Sequence, residues 1–361
     1  MLQRILLFRM IKGVLAVVLA LIIAILGYLA YVLISYNRTP DNQSLTVTQG
    51  VKNHTVQKGR TYKAVIQNIG FGAYSSDFTF FMDGGTESRA KSADSVKKLV
   101  NAAADKAVEQ SPNFVLFQEV DTNSTRSHHI NQSELLKYRF NGYSSTFAEN
   151  YHSAYLMYPL TSPHGASNSG ILTFSSFNIT SAKRRSLPIS ESLSKFLDLD
   201  RCYSVSRLPV EDGKELVIYN VHLSAYGGSD EIRTAQMTML FNDMKAEYDK
   251  GNYTLCGGDF NHDFTGDSTQ KLNGGQTVDF GWAQPFPEKL LPSGIKRCMN
   301  YGGTLTPTCR NCDVPYKKGN FTIIVDGFLI SDNIEEIKTT NISTDFEYSD
   351  HNPVLLEFKL R

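Results

Sequence analysis

The chain has 361 residues, with 36 basic and 36 acidic side chains and therefore no formal net charge at neutral pH. This length suits one large two-sheet α/β domain with a sizeable core. Residues 1–40 hold four basic groups and no acidic one, which leaves the remainder with 32 basic against 36 acidic groups and a net charge of −4. That balance argues mildly against polyanion binding as the main task, because proteins that grip nucleic acid usually carry a basic excess.

An uncharged apolar run near the N-terminus predicts a transmembrane helix. No charged residue occurs from Gly13 to Asn37, and the centre of this run is almost wholly Val, Leu, Ile and Ala. The run is long enough for a hydrocarbon core of roughly 30 Å. A cleaved signal peptide has a shorter apolar region and a small-residue cleavage site, whereas this run continues into tyrosines that suit a membrane interface. We therefore expect an uncleaved anchor over residues 1–37.

The distribution of basic residues predicts the orientation of this helix. Arg4, Arg9 and Lys12 precede the apolar run, and only Arg38 follows it closely. The positive-inside rule then places the N-terminus in the cytoplasm. We expect a single-pass protein of the cell membrane whose larger part is extracellular, joined to the helix by a polar linker over residues 38–60.

The five cysteines are too few for a disulfide scaffold in a chain of this length. Cys202 and Cys256 lie in strand-like apolar contexts, which favours core positions. Cys298, Cys309 and Cys312 lie close together in the sequence. Outside the cell, this group favours a disulfide within its loop. Zinc binding is only weakly supported, because the sequence has no second C-x-x-C and no suitably spaced histidine.

After the linker, apolar periodicity predicts both helices and strands. The predicted helices are 88–110, 134–139 and 230–250. The predicted strands are 61–67, 114–118, 144–158, 170–179, 201–210, 215–223, 253–258, 321–325 and 354–359. The turn sequence EDGK at 211–214 joins two of these strands into a β-hairpin. Residues 264–320 form a long, proline-containing stretch without a clear period.

The sequence Gly258-Asp259-Phe260-Asn261 follows the predicted strand 253–258. Asp259 and Asn261 lie two residues apart, so an extended backbone points both side chains to the same side. There the carboxylate can accept a proton while the carboxamide orients a water molecule or a phosphoryl oxygen. Alternatively, the same residues form an Asx turn that caps the strand end.

Polar side chains of the same kind stand at the ends of several other predicted strands. These are Asn68, Glu119, Asn220 with His222, Asp326, and Asp350 with His351. A single strand-end carboxylate is commonly a cap, and a single histidine is more often a satisfied core residue than a catalyst. Their recurrence at successive strand ends indicates one shared catalytic site.

Short motifs around these residues occur in a fixed order along the chain. They are Gln67-Asn68-Ile69, Phe117-Gln118-Glu119-Val120, Ser169-Gly170-Ile171, Asn220-Val221-His222-Leu223, Gly258-Asp259-Phe260-Asn261, Val325-Asp326 and Ser349-Asp350-His351-Asn352-Pro353. Together they resemble the motif set of the endonuclease/exonuclease/phosphatase superfamily, which includes DNase I-like nucleases, neutral sphingomyelinases and inositol polyphosphate 5-phosphatases. The resemblance covers residues 61–361. It implies a four-layer α/β sandwich, with two mixed β-sheets packed face to face and helices outside, and hydrolysis of a phosphoric ester with Mg²⁺ or Mn²⁺.

The resemblance also assigns residues to the metal and to the phosphate. Glu119 is expected to be the principal metal ligand, with Asn68 bound to the ion or beside a ligand, and Asp350 serving the metal or the water. A hard cation held by carboxylate and carboxamide oxygens would neutralise the charge of the phosphodiester. His222 and Asn220 are expected to contact the phosphate.

The acid and base roles fall on four residues. Asp259 is expected to accept the proton of the attacking water, while Asn261 positions that water and binds the substrate. His351 would donate a hydrogen bond or a proton to the phosphoryl group. Asp326 would fix the tautomer of His351 and raise its basicity.

The substrate stays open between nucleic acid, a phospholipid and a sugar phosphate. The aromatic loop at 71–85 could approach a lipid, stack on bases or pack in the core. The basic run at 183–185 could meet phosphates, although three basic residues usually form a solvated face. We expect membrane contact through the N-terminal helix and no protein partner. The alternative function is a catalytically inactive binding module on the same fold that recognises a phosphorylated ligand.

Overall fold

The computed structural model describes residues 2–51, 54–192, 195–198, 200–225, 229–274, 284–303 and 305–361. The α-helices in these residues are α1 (Leu2–Ser35), α2 (Ala93–Glu109), α3 (Gln132–Arg139), α4 (Lys195–Asp198), α5 (Asp230–Asp249) and α6 (Ser268–Leu272). The strands are β1 (Gln43–Ser44), β2 (Val47–Thr48), β3 (Thr61–Asn68), β4 (Phe114–Asp121), β5 (Ser144–Leu156), β6 (Gly165–Ser175), β7 (Ser181–Ser186), β8 (Cys202–Pro209), β9 (Glu215–His222), β10 (Tyr253–Asp259), β11 (Ile295–Arg297), β12 (Cys309–Arg310), β13 (Thr322–Ile323), β14 (Asp326–Ser331), β15 (Ile334–Asn341) and β16 (Val354–Leu360).

Most of these strands form two seven-stranded mixed sheets within the described residues. One sheet has the order β1-β7-β8-β9-β10-β14-β11, and the other has the order β15-β16-β3-β4-β6-β5-β2. Parallel pairing joins β9 to β10 and β3 to β4, and the other neighbours are antiparallel. The carboxyl ends of these parallel strands lie at one edge of each sheet, which is where the predicted site residues occur.

The sheets pack face to face, and helices cover their outer surfaces. The core between the sheets contains Ile66 from β3 and Leu255 from β10. On the outer faces, Val100 of α2 packs on one sheet and Leu240 of α5 on the other. This arrangement confirms the predicted four-layer α/β sandwich.

The long predicted helices are present, with starts set by capping side chains. The helix predicted at 88–110 begins only at Ala93, because the Ser92 hydroxyl accepts a hydrogen bond from the N–H of Ser95 at 3.0 Å. The start of α5 is capped in the same way by Ser229. An N-cap side chain satisfies one of the free N–H groups of the first turn, so the helix begins after it.

One predicted strand is displaced. The run at 321–325 was expected to form a strand ending at Asp326, but β13 covers only Thr322–Ile323, and Asp326 instead begins β14. The prediction was wrong because the apolar residues continue on both sides of Asp326, so hydrophobicity could not place the boundary. Since β14 runs antiparallel to β10, its first residue lies at the same sheet edge as the last residue of β10.

The segment at 38–60, interpreted from the sequence as a linker, contacts both sheets. Its β1 pairs with β7 and forms the edge of one sheet, and its β2 pairs with β5 at the edge of the other sheet. Val56 forms an isolated bridge with Val210. Residues 52–53 of this segment lie outside the described residues. The described parts of the segment are therefore attached to the sandwich.

Helix α1 has the length and composition of a membrane span. Residues Gln3–Ser35 contain an 18-residue stretch with a mean hydropathy of 2.9, and this stretch is not buried in the protein. A signal sequence near the N-terminus has the same properties. The structure therefore supports a membrane-crossing or signal helix and leaves its orientation to experiment.

All five cysteines are buried free thiols. Cys298, Cys309 and Cys312 pack in three different apolar clusters. The expected disulfide within this loop is therefore wrong, because the fold distributes the three side chains among separate cores. Part of the surrounding stretch 264–320, at 275–283 and 304, lies outside the described residues.

The aromatic loop at 71–85 mainly serves the core. Phe71, Tyr74, Phe78 and Phe80 are buried in the cluster beneath α2. Phe81 is only partly buried and packs on the edge of that cluster. Core packing, one of the three expectations for this loop, accounts for most of its aromatic residues.

The basic run at 183–185 contains a buried charge, so a wholly solvated face was the wrong prediction. Arg184 lies in β7 and is fully buried. Its guanidinium donates hydrogen bonds to the carbonyl oxygen of Glu149, at 2.8 Å, and to that of Asp200. Arg184 therefore links three segments of backbone.

Replacement of Arg184 should destabilise the fold. We expect Arg184→Leu to lower the free energy of unfolding by about 3 kcal/mol, because buried carbonyl oxygens lose a charged donor. Urea unfolding of the detergent-solubilised chain measures the change. Lys183→Leu, at the exposed neighbouring position, is the matched control and should change stability by less than about 0.5 kcal/mol. Equal stability of the two variants would contradict the role assigned to Arg184.

Candidate active site

Strand register brings three titratable side chains into one row. Asp259 ends β10, where it pairs with His222 at the end of the parallel strand β9 and with Asp326 at the start of β14. Residues directly opposite each other in a sheet place their side chains on the same face. All three side chains are buried. The row therefore follows from the pairing of three neighbouring strands.

The backbone on both sides of Asp259 is conformationally constrained. Gly258 has a φ of +151°, and a Cβ added there would lie 2.0 Å from the carbonyl oxygen of Val221. Asn261 has a left-handed φ of +49°, and its N–H donates to Oδ1 of Asp259 at 2.9 Å. Its carboxamide donates to the carbonyl oxygen of Leu223 at 2.9 Å. The Asx turn considered from the sequence is thus present, and it holds the Asp259 and Asn261 side chains in fixed positions.

The opposite sheet contributes Asn68 and Glu119. Asn68 ends β3, and Glu119 lies in β4 where the register with β6 shifts between Phe117 and Val120. Glu119 has a φ of +55°, which is uncommon for a residue other than glycine. Such irregularities re-aim side chains and occur often beside active sites. Here the half-buried Glu119 carboxylate faces a cavity.

Most of the predicted site residues line this cavity. Those that do are Asn68, Glu119, His222, Asp259, Asn261, Asp350 and His351. Asn68 joins the two sheets, since its Nδ2 donates to Oε1 of Glu119 and to Oδ2 of Asp259, each at 3.2 Å. Its Oδ1 accepts from the N–H of Gly70 at 3.0 Å. Asn68 therefore orients two carboxylates at once.

His351 and Asp326 form a buried pair beside Asp259. Nδ1 of His351 lies 2.8 Å from Oδ2 of Asp326, and Nε2 lies 3.8 Å from Oδ2 of Asp259. His222 approaches the same Asp259 oxygen, with its Nε2 at 3.5 Å. A carboxylate on Nδ1 holds the imidazole in one orientation and directs Nε2 toward the reacting groups.

Burial and neighbouring charges shift the titration of these groups. Burial raises the pKa of Asp259 to about 7, an effect that the nearby His351 opposes. Burial alone would lower the pKa of His351, but the Asp326 carboxylate and its other acidic neighbours raise it well above the usual value. Burial lowers the pKa of His222 well below its usual value. Near neutral pH the site therefore combines a protonated His351 with a neutral His222 and an Asp259 able to exchange a proton.

Glu119 and Asp350 supply oxygen atoms suited to a hard cation. Both carboxylates line the cavity. Burial raises the pKa of Asp350, and the charge of Glu119 adds to this rise while His351 and Arg310 oppose it. Two carboxylates that line one cavity favour a divalent cation between them, and oxygen donors suit Mg²⁺ or Mn²⁺.

A second group of possible metal ligands lies in the acid and base row. One ligand atom each from Asp259, Asp326 and His351 lies within 4.8 Å of the others. The described structure thus contains an acidic and histidine cluster that could hold a metal ion. The contact between Asp326 and His351 has the geometry of a hydrogen bond.

Two predicted site residues do not reach the cavity. Asn220 is completely buried, and its carboxamide donates to the carbonyl oxygens of Phe117 and Leu172 while its Oδ1 accepts from Gln118 at 2.8 Å. It connects the two sheets beneath the cavity floor. Asp326 is the second residue that does not line the cavity, and its carboxylate contacts Nδ1 of His351.

Three arginines line the cavity, Arg126, Arg201 and Arg310, and none of them was assigned to the site from the sequence. Arg126 pairs with Asp121 through two of its guanidinium nitrogens, at 2.8 and 3.0 Å, and stacks 4.0 Å from the Phe71 ring. Arg201 precedes β8 and also lines the cavity. Arg201 could have been located from the predicted hairpin. Antiparallel pairing counted from the turn at 211–214 places residue 201 beside the end of β9. The planar guanidinium groups of these arginines suit the oxygens of a phosphate.

The sequence from the end of β3 to His351 matches a known family model. The Endonuclease/Exonuclease/phosphatase family model matches residues 67–351, which is most of the chain. This chain belongs to that family. The match contains all the residues assigned above to the site. A search of curated proteins found no match to the sequence.

Solved structures of the endonuclease/exonuclease/phosphatase family share the fold. The enzyme from Beutenbergia cavernae has a TM-score of 0.54 and 16% identity, covering 83% of this chain and 72% of that one. The human Nocturnin catalytic domain with bound sulfate has a TM-score of 0.51 and 17% identity, covering 88% and 98%. ANGEL2, a 2',3'-cyclic phosphatase, has a TM-score of 0.52 and 13% identity, also covering 88% and 98%. At these identities the similarity shows the fold.

Proposed function

We propose that this family member is a divalent-metal-dependent phosphodiesterase anchored in the cell membrane. Helix α1 is the anchor, the N-terminus is cytoplasmic, and the catalytic domain at 61–361 is extracellular. The observation that carries the catalytic part is the buried row of Asp259, His351 and Asp326 beside Glu119 and Asp350. Such a row joins a proton acceptor, a proton donor and cation ligands in one cavity.

The residues beside the cavity take separate roles in the reaction, as base, as positioning group and as proton donor. Asp259 accepts the proton of the attacking water, which its pKa of about 7 permits at neutral pH. Asn261, held in place by Leu223 and by Asp259 itself, positions the water and the phosphoryl oxygen. His351 donates from Nε2 to the phosphoryl group or to the leaving oxygen, while Asp326 stabilises its charge.

The charge of the substrate is neutralised from two sides. Mg²⁺ or Mn²⁺ bound by Glu119 and Asp350 would act as a Lewis acid toward a phosphoryl oxygen. Arg126, Arg201 and Arg310 bring guanidinium groups to the cavity wall. Two of the related structures fit this use of the cavity, since Nocturnin holds a sulfate anion and ANGEL2 is named as a cyclic phosphatase. Nucleic acid, phospholipid and sugar phosphate are all compatible with this mechanism.

A colorimetric assay tests the catalytic proposal. The detergent-solubilised full-length chain is incubated with bis-(p-nitrophenyl) phosphate and Mg²⁺ or Mn²⁺, and we expect metal-dependent release of p-nitrophenol that EDTA abolishes. Because His351 supplies the proton donor, His351→Ala should lower turnover about 10²-fold or more. Absence of metal-dependent turnover would refute the enzyme and favour an inactive module that binds a phosphorylated ligand.

A further inference from the structure

The end of helix α1 is hydrogen-bonded to the end of strand β5. The Tyr28 hydroxyl donates to the carbonyl oxygen of Tyr155 at 3.2 Å and accepts from the N–H of Met157 at 3.0 Å. The Tyr31 hydroxyl accepts from the N–H of Tyr155 at 3.2 Å. These contacts fix the position of residues 155–157 along the axis of α1, beside Tyr28 and Tyr31.

Residues 155–157 therefore lie beside the apolar part of α1. Tyr28 precedes the helix end at Ser35 by seven residues, which corresponds to about 10 Å along the axis. Interfacial segments lie roughly 5–10 Å deep at the boundary between headgroups and acyl chains. If α1 spans the bilayer, residues 155–157 must therefore lie beside its last two turns at interfacial depth.

The chain that follows Tyr155 suits that environment. We call residues 157–164, between β5 and β6, the β5–β6 loop. Met157, Tyr158 and Leu160 of this loop are 50%, 69% and 83% exposed. No Asp, Glu, Lys or Arg occurs from residue 150 to residue 182. The guanidinium of Arg89, which donates to the carbonyl oxygen of Pro163, is a charged group beside the loop. An exposed apolar patch that contains a tyrosine and has a basic residue at its margin is typical of a surface that enters a membrane interface.

The β5–β6 loop also borders the active-site cavity. The rings of Tyr158 and Phe81 lie 5.7 Å apart, and those of Phe81 and His164 lie 5.9 Å apart. His164 and Met82, which follows Phe81, both line the cavity. An apolar surface therefore extends from the end of α1 to the cavity mouth.

We propose that the β5–β6 loop lies in the bilayer interface beside α1 and that the cavity takes the phosphodiester headgroup of a phospholipid in that leaflet. The assignment rests on the proposed function, since it requires α1 to span the bilayer and the site to hydrolyse phosphodiesters. Nucleic acid fits this side of the cavity less well. A long polyanion requires basic contacts along its path, and the border formed by the β5–β6 loop carries no Lys or Arg.

Fluorescence quenching tests the position of the loop. Leu160→Trp is made in the full-length chain and reconstituted into phosphatidylcholine/phosphatidylglycerol vesicles, with the parent chain as the control for the single native tryptophan. We expect the added emission to shift to shorter wavelength and to be quenched by lipids brominated near the headgroup end of the acyl chain. Emission at the wavelength of solvent-exposed tryptophan, without quenching, would overturn the proposal.

Activity on two substrates tests the lipid assignment. In the double variant Tyr158→Ser/Leu160→Ser, hydrolysis of vesicle phospholipid should fall about tenfold because the loop loses its apolar contact with the interface. Hydrolysis of bis-(p-nitrophenyl) phosphate should be unchanged. Tyr138→Ser, at an exposed tyrosine of α3, is the matched control and should leave both activities unchanged.

The outcomes separate this proposal from the proposed function. Cleavage of plasmid DNA or RNA together with inactivity on vesicle lipid overturns the lipid assignment while supporting the phosphodiesterase. Equal lipid activity in the double variant and the parent overturns the role of the loop. Inactivity on every substrate, including bis-(p-nitrophenyl) phosphate, overturns the proposed function and the lipid assignment with it, and the quenching result then decides the loop position alone.

Discussion

An Asp259→Asn chain should hydrolyse bis-(p-nitrophenyl) phosphate about 10³-fold more slowly than the parent, with KM nearly unchanged. Asp259 is the buried carboxylate that contacts both histidines, with its Oδ2 at 3.8 Å from Nε2 of His351 and at 3.5 Å from Nε2 of His222. Asparagine keeps the shape of the side chain but cannot accept the proton of the attacking water. The loss should therefore fall on kcat, because the cation ligands and the arginines that hold the substrate are retained.

A surface carboxylate supplies the control for Asp259→Asn. Asp249 ends α5 and forms an exposed ion pair with Lys245, so Asp249→Asn should keep full activity. Thermal unfolding of both variants shows whether the fold is intact. Activity of a folded Asp259→Asn chain within about threefold of the parent would remove Asp259 as the general base.

Much of the site could be predicted because the polar residues of the site lie at the ends of strands in this kind of fold. The sequence placed Asp259 and His222 at the ends of apolar strands, and parallel pairing of β9 and β10 brings the two ends side by side. Asn68 follows the same rule at the end of β3 in the other sheet, whereas Glu119 lies inside β4 at a register shift, since β4 continues to Asp121 beyond the end predicted at residue 118. Local hydrophobicity locates such ends well, since the buried strand must stop where polar side chains reach the cavity.

Asp326 shows that a local apolar pattern does not give the direction of a strand. Its position at the site was predicted correctly, but at the end of a strand and not at the start of one. Both placements bring a carboxylate to the same edge, because a strand that begins there runs antiparallel to one that ends there. Strand direction depends on pairing between distant segments, which an apolar run does not encode.

Asn220 was misplaced for a different physical reason. The alternation of side chains correctly put it on the same face as His222, two residues later. One such step moves a side chain about 7 Å along the strand, and this distance takes Asn220 from the cavity to the space beneath the opposite sheet. There Gln118 and two carbonyl oxygens satisfy its carboxamide. The face of a residue can be predicted from period alone, but its depth depends on how the two sheets overlap.

Glu119→Gln should weaken binding of Mg²⁺ or Mn²⁺ by at least about tenfold, with activity partly restored at high metal concentration. The substitution keeps the volume of the side chain and its contact with Asn68 but removes one negative charge from the cavity. Isothermal titration calorimetry measures binding directly, and the metal concentration for half-maximal turnover gives an independent value.

The control for Glu119→Gln is Glu134→Gln in α3, where the exposed carboxylate pairs with Lys137. Its metal dependence should match that of the parent. Because Glu119 has a left-handed backbone, both Glu and Gln bear the same conformational cost there, and any difference reports the lost charge. If Glu119→Gln binds the metal as tightly as the parent, the ion must be held by the cluster of Asp259, Asp326 and His351. The assignment of those three residues to proton transfer would then be wrong.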